Sequence, residues 1–482
     1  MLFSIKFYQK ILVVLAALSV LMACDDDDEP TDFGSPTITF NESAIDQKPG
    51  EEATVTLVFN APAGVKSISM SVDGGADEDV PVTDGAVSET VNVNFDVPLE
   101  TTEGRSTWGT VYNLAFTITD KQSTAKTGNA TATVTARFTP ANPIAVPTTY
   151  AFTRNNETTV SFSGQTDRLN QLSEIKSLMG NANNGETVSA SALLAMYANT
   201  NGDGGGNFSF SSTKQLKDKT FESEVANIEA LLNEMATNSD NPGVASNGVA
   251  GLLTRTVKAK TILVDANGRE YAQLIEKGLM GSVFLNQVYN TYLTDDRTGD
   301  DAQNIKLREG KNYTDMEHHW DEAFGYFGVP VDFPTTTTNR FWGNYSNGRD
   351  ALLGTNKKLM DAYLIGRAAV VNFDYEEKNA QRDVLYETLE LLAAATAIHY
   401  INSTLDNIGS DQGEMHHALS EAWAFIEALR YSPNAKLTQA EITEILEQNI
   451  GINFYNVTIN GLNTAKDKIS TEYGLDDHKN SL

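Results

Sequence analysis

Four of the six histidines in this 482-residue chain stand as two adjacent pairs, with carboxylates around each pair at helical spacing. The first segment runs Asp315-Met316-Glu317-His318-His319-Trp320-Asp321-Glu322-Ala323-Phe324-Gly325-Tyr326. The second runs Glu414-Met415-His416-His417-Ala418-Leu419-Ser420-Glu421-Ala422-Trp423-Ala424-Phe425. Setting His318 on His417 superposes an acid three residues before, Glu four residues after, the Ala that follows, and two aromatics beyond it. That agreement predicts an internal duplication. Positions three, four or seven apart share a helix face, so Asp315, His318 and Glu322 form one stripe and Glu414, His417 and Glu421 its counterpart; His319 also reaches Glu322. Two such stripes facing each other across a bundle would offer imidazoles and carboxylates to a divalent metal or to iron. His318, Glu322, His417 and Glu421 are therefore expected to converge on one shared centre. The bland alternative is that each His–Glu pair simply fixes helix packing.

The elements that would carry these stripes can be read upstream of each. Gln287-Val288-Tyr289-Asn290-Thr291-Tyr292-Leu293 lines up with His399-Tyr400-Ile401-Asn402-Ser403-Thr404-Leu405, so each half supplies one helix leading by a loop into the helix of its histidine pair. Gln287 and His399 become candidate additional ligand-lining residues. Helical periodicity also marks Leu169-Leu172-Ile175-Lys176-Met179, Ile228-Leu231-Leu232-Met235 and Leu389-Leu392-Ala393-Thr396, which predicts a mostly α-helical domain over residues 149–482. Residues 139–148, with three prolines, read as a stiff linker. Residues 37–138 are of another kind: rich in Thr and Val, they alternate with period two at Val55-Leu57-Phe59, Ile68-Met70-Val72, Val91-Val93-Phe95-Val97 and Tyr112-Leu114-Phe116-Ile118. That pattern predicts an immunoglobulin-like β-sandwich. It holds no His and reads as a spacer or adhesion module.

The N-terminus reads as an address. Lys6 and Lys10 precede an apolar run at residues 11–22, the layout of a secretory signal over residues 1–23. Leu21-Met22-Ala23-Cys24 resembles a bacterial lipobox, and Cys24, the chain's one cysteine, is the expected site of lipidation. Residues 24–36 then form an acidic tether whose Asp25, Asp26, Asp27, Asp28 and Glu29 resemble the surface-export signal of lipoproteins in the Bacteroidetes group. The expected location is the outer membrane, facing the cell exterior, with a periplasm-facing anchor as the alternative. The lipid bilayer, reached through the acyl chain, is one expected partner, and a neighbouring outer-membrane receptor another. A net charge of −29 repels phosphate backbones and argues against nucleic acid. The single cysteine removes disulfides, thiolate metal sites and a cysteine nucleophile together. Neither a zinc-peptidase His-Glu-x-x-His nor a Gly-x-Ser-x-Gly elbow occurs, so the residues do not argue for an enzyme.

Four stretches together resemble a family of bacterial lipoproteins known as domain of unknown function 4856, over about residues 147–482. They are Val160-Ser161-Phe162-Ser163-Gly164-Gln165-Thr166-Asp167-Arg168-Leu169, Glu276-Lys277-Gly278-Leu279-Met280-Gly281, Met316 through Gly328, and His417-Ala418-Leu419-Ser420-Glu421-Ala422. That family is similar in turn to imelysin-like helical proteins, duplicated bundles with a Gly-x-His-x-x-Glu motif that are associated with iron uptake and were first described as peptidases. Here His319-Trp320-Asp321-Glu322 supplies the His-x-x-Glu part, but Glu317 stands where the Gly belongs, and in the second half four residues rather than three separate His417 from Glu421. The resemblance implies binding of a metal, iron foremost, or of an iron-bearing ligand, with no nucleotide cofactor. An imelysin-like metallopeptidase using His319 and Glu322 is the alternative it leaves, and a structural or adhesive lipoprotein is the other.

Overall fold

A computed structural model of the protein describes residues 32–47, 50–98, 110–136, 143–300, 302, 304 and 307–482. The signal segment, Cys24 and the acidic run after it lie outside the described residues. The chain divides into two compact units, one built from the strand-rich N-terminal region and one from the helical remainder.

The strands are β1 Thr37–Phe40, β2 Ala44–Gln47, β3 Glu52–Asn60, β4 Val65–Val72, β5 Glu78–Val80, β6 Ser88–Asp96, β7 Val111–Asp120 and β8 Thr127–Ala136. They form a three-stranded sheet in the order β1-β3-β6 and a five-stranded sheet in the order β2-β8-β7-β4-β5. Period-two alternation decides which face is buried: Val55, Leu57 and Phe59 of β3 and Leu114, Phe116 and Ile118 of β7 all lie inside. The Phe40 and Phe116 rings, 5.5 Å apart, join the two sheets of the sandwich.

Beyond residue 143 the chain is helical apart from two hairpins, β9 Thr153–Arg154 with β10 Glu157–Thr158 and β11 Gly251–Arg255 with β12 Lys260–Val264. The helices are α1 Ser163–Asn183, α2 Ala190–Ala198, α3 Val225–Asn238, α4 Tyr271–Leu279, α5 Asp295–Thr298, α6 Asp315–Phe327, α7 Trp342–Leu353, α8 Thr355–Val371, α9 Tyr375–Asn407, α10 Gln412–Ala428, α11 Gln439–Thr443 and α12 Ile459–Glu472. One apolar core runs through this unit. The 33-residue α9, about 50 Å long at 1.5 Å per residue, packs along α8 and α10. Its buried Ala393, Ala394, Ala395 and Ala397 let those neighbours come close.

Helix α4 does not stop at Leu279. It continues through π-helical turns at Met280–Leu285 and Val288–Tyr292, so residues 271–292 form one uninterrupted helix. Helix α6 starts with a capping box in which the Thr314 hydroxyl accepts from Glu317 N–H and the Glu317 carboxylate accepts from Thr314 N–H. Helix α10 is capped by Asp411, which accepts from Glu414 N–H.

Candidate functional site

The first histidine pair sits near the start of α6, packed against α1. His318 Nδ1 lies 2.9 Å from the Ser161 carbonyl, which has no proton to give, so Nδ1 carries it and donates. Nε2, the ring's other nitrogen, then points a lone pair toward Glu322 Oε2 at 3.7 Å. Burial pushes His318 toward its neutral form, against the pull of the Glu322 charge. His319 Nδ1 is 3.2 Å from the same Glu322 oxygen, and Arg297 is 3.4 Å from His319 Nε2. Gln165 of α1 donates to the other Glu322 oxygen at 3.0 Å. Although burial opposes it, these donors hold the Glu322 carboxyl below its ordinary value. Tyr313 stacks on His318 at 4.7 Å and Tyr292 faces His319 at 6.3 Å.

On the inner side of α6, Arg367 of α8 is fully buried and bridges Glu317 at 3.1 Å and Asp321 at 2.9 Å. Burial works against the guanidinium's charge, but the two carboxylates outweigh it and raise its pKa further. Asp321 also accepts from the Tyr150 hydroxyl and from Ser161 N–H, both at 2.9 Å. Asp321 thus holds the Ser161 backbone whose carbonyl orients His318.

The second pair repeats the arrangement on α10, packed against α4. His417 Nδ1 lies 2.6 Å from Glu270 Oε2, and His417 Nε2 lies 3.7 Å from Glu421 Oε2, the same separation as in the first half. Ser420, equivalent to Asp321 in the repeat, accepts from Glu270 N–H at 2.8 Å. A backbone carbonyl thus orients the first imidazole and a buried carboxylate the second. The electrostatics change accordingly: burial opposes the charge on His417, but Glu270 overrides it and raises the pKa. Glu421 meets Lys277 at 3.3 Å and the Tyr345 hydroxyl at 3.5 Å. Lys277 also pairs with Glu276 at 2.8 Å, and the two carboxylates keep it charged despite burial.

The two clusters do not converge on one centre. Glu270, which holds His417, immediately precedes the 271–292 helix, and Tyr292, which faces His319, ends it. Over those 22 steps a helix rises about 30 Å. Among the described residues no hydrogen bond or ion pair joins the sets, and no group of three or more His, Cys, Asp and Glu is arranged to hold a metal ion. The expectation of a shared centre fails because the helix between the pairs runs lengthwise from one to the other. A pseudo-twofold crossing would have brought them together.

The remaining candidates distribute between the clusters. Asp315 leaves its stripe for the rim, paired with Arg308 at 2.9 Å, and Arg255 takes Glu414 in a two-pronged pair at 2.6 and 3.0 Å. Gln287 donates to the Lys219 carbonyl at 3.1 Å, and the Glu322 charge acts on the Lys219 ammonium. His399, 5.0 Å from the Tyr400 ring, lies within the electrostatic reach of Glu421. His416 is buried and bonded to the Gly268 carbonyl at 2.6 Å. His478, near the C-terminus, is half-buried. The reading of the histidine stripes missed Ser161, Gln165, Glu270, Lys277 and Arg367, which enter from segments distant in sequence. Their one sequence signal was that Ser161, Gln165 and Lys277 fall inside the motifs quoted for the family resemblance.

The model of the family described as domain of unknown function 4856 matches residues 147–476, the whole stretch that carries both clusters. Among curated proteins none matches the chain.

Proposed function

The chain belongs to the domain of unknown function 4856 family, and from that premise we propose a surface-anchored lipoprotein whose helical domain binds a metal, iron foremost, or an iron-bearing ligand in an uptake-related role. The observation that carries this reading is the twice-built pair of His Nε2 and Glu Oε2 at 3.7 Å, each imidazole pinned through Nδ1. In the first cluster a neutral imidazole turns a lone pair on a carboxylate oxygen, an arrangement relieved by a proton or a cation between them. Two donors about 2.1 Å from one ion stand about 3.0–3.5 Å apart, so a small side-chain rotation closes either pair on a cation. Each pair supplies only two donors. The occupant must therefore complete its own coordination with water or ligand atoms, which favours a chelated metal over a bare ion, and the separation of the clusters makes them two binding points.

Elemental analysis of protein purified from its native host, followed by titration of chelator-treated protein with ferric citrate, tests this. Bound metal is expected, with about half lost in either His318→Ala or His417→Ala and nearly all in the double variant. Protein that carries no metal and takes up none, or uptake unchanged in both single variants and in Glu322→Gln and Glu421→Gln, overturns the reading.

A further inference from the structure

A cavity of about 200 Å³ opens between α1 and the first turn of α7, with Lys176, Glu276, Arg340, Phe341, Asn344 and Tyr345 in its wall. Its charges are out of balance in a direction opposite to the rest of the chain. Among the described residues no carboxylate pairs with Arg340; its guanidinium donates to the Asn170 side chain at 2.5 Å, and burial lowers its pKa with no charged partner to offset the loss. Lys176 reaches Glu276 at 2.8 Å, but Lys277 claims that carboxylate at the same distance from behind. Counting Glu421, the other partner of Lys277, three cations here face two carboxylates.

The segment bearing Arg340 is held in advance. Arg340 N–H donates to the Gly328 carbonyl at 2.8 Å, and Gly328, at φ +77°, comes so near that a Cβ there would lie 2.6 Å from the Arg340 carbonyl oxygen. A Cβ on Gly343 would meet Val329 at 2.5 Å. Between them Phe341 sits at φ 49°, a conformation that costs a bulky side chain about 1–3 kcal/mol and persists only where its surroundings fix it.

We propose that this cavity binds the oxyanion group, carboxylate or phosphate, of a small organic acid. Arg340 holds it in its two-pronged fork with Lys176 beside it, and the acid's body rests on the Phe341 and Tyr345 rings. The site adjoins the second His–Glu pair, whose Glu421 meets the Tyr345 hydroxyl at 3.5 Å, but it needs no metal.

Calorimetric titration of the chelator-treated chain with benzoate, phenyl phosphate, inorganic phosphate and benzylamine tests the proposal. Benzoate or phenyl phosphate is expected to bind. Arg340→Gln should weaken it at least about tenfold, Arg340→Lys less, and Lys357→Gln on the exposed face of α8 not at all. Phenyl phosphate or inorganic phosphate binding without benzoate identifies the group as phosphate, and benzoate binding without either identifies it as carboxylate. Failure of every anion to bind at millimolar concentration, equal binding of benzylamine, or full affinity in an Arg340→Gln protein that melts like the parent overturns it. Because metal is absent throughout, the outcome does not depend on the metal-binding reading.

Discussion

At Arg367 one guanidinium satisfies two carboxylates in the core, Glu317 and Asp321, and through Asp321 it steadies the Ser161 carbonyl that orients His318. Replacing Arg367 by Met leaves buried Asp321 without its counter-charge and Glu317 with Arg154 alone. Such a change is expected to cost about 3–5 kcal/mol, read as a shift in the urea midpoint; a loss below about 1 kcal/mol would show that the acids find other partners. Lys378 makes the opposite case. Its ammonium is buried, pairs with Asp300 at 3.3 Å and donates to the Thr298 carbonyl, yet burial lowers its pKa from 10.5 to about 8. The unfolded chain therefore binds this proton more tightly, and the Lys378 contribution to stability rises with pH between about 8 and 10.5. The stability of the parent relative to Lys378→Met should climb by about 2–3 kcal/mol across that window. A flat difference in urea unfolding at the two ends would refute the assignment. The i, i+4 pairs His318–Glu322 and His417–Glu421 were legible in the sequence because helix geometry alone makes them neighbours. Ser161, Glu270 and Arg367 were not, since each arrives from about 50 to 160 positions away.

Helix α6 is fixed to α8 by the absence of a side chain. A Cβ on Gly366 would lie 2.1 Å from the buried Trp320 indole, which stands between His318 and Glu322 in sequence and donates to the Tyr363 carbonyl at 3.0 Å. Gly366→Ala must displace that ring. We expect about 1–3 kcal/mol of destabilisation, and near-UV circular dichroism should report the disturbed tryptophan. An unchanged melting temperature would mean that the two helices can separate freely. Strand positions were readable here because alternation such as Val55-Leu57-Phe59 sets both the element and its buried face. The run from 271 to 292 was harder: its π turns shift the helical phase, so the Gln287 helix was recognised but not its continuity with the segment after Glu270. That continuity separates the two clusters.

Across the whole molecule, the duplicated sequence yields two sites of similar design and different electrostatics, one whose imidazole is pushed toward its neutral form by burial and one whose imidazole is drawn toward its charged form by Glu270 despite burial. Matching motifs disclosed the duplication; they could not disclose the distance between the copies, which depends on how intervening helices are laid. The anchoring expectation belongs to this scale too. Cys24→Ala should release the protein from the membrane fraction. Replacing Asp25, Asp26, Asp27 and Asp28 by Ala should leave it membrane-bound but shielded from protease added outside the cells. A Cys24→Ala protein that still sediments with membranes would exclude the lipid anchor, and unchanged protease access would exclude the export signal.

The helix pairs α1 with α6 and α4 with α10 are interleaved along the chain, and this dictates an order of assembly. When a nascent chain has grown past Glu322, His318, His319 and Glu322 exist together with Ser161 and Gln165 and can close, with Arg367 to follow, using the far end of the 271–292 helix as one wall. The near end of the same helix, with Glu270, Glu276 and Lys277, must then wait about 100 residues for α10. During that interval Glu270 lacks His417 and Lys277 lacks Glu421, while Lys176 and Lys277 already hold Glu276. The second cluster is thus the later of the two to be complete as the chain emerges.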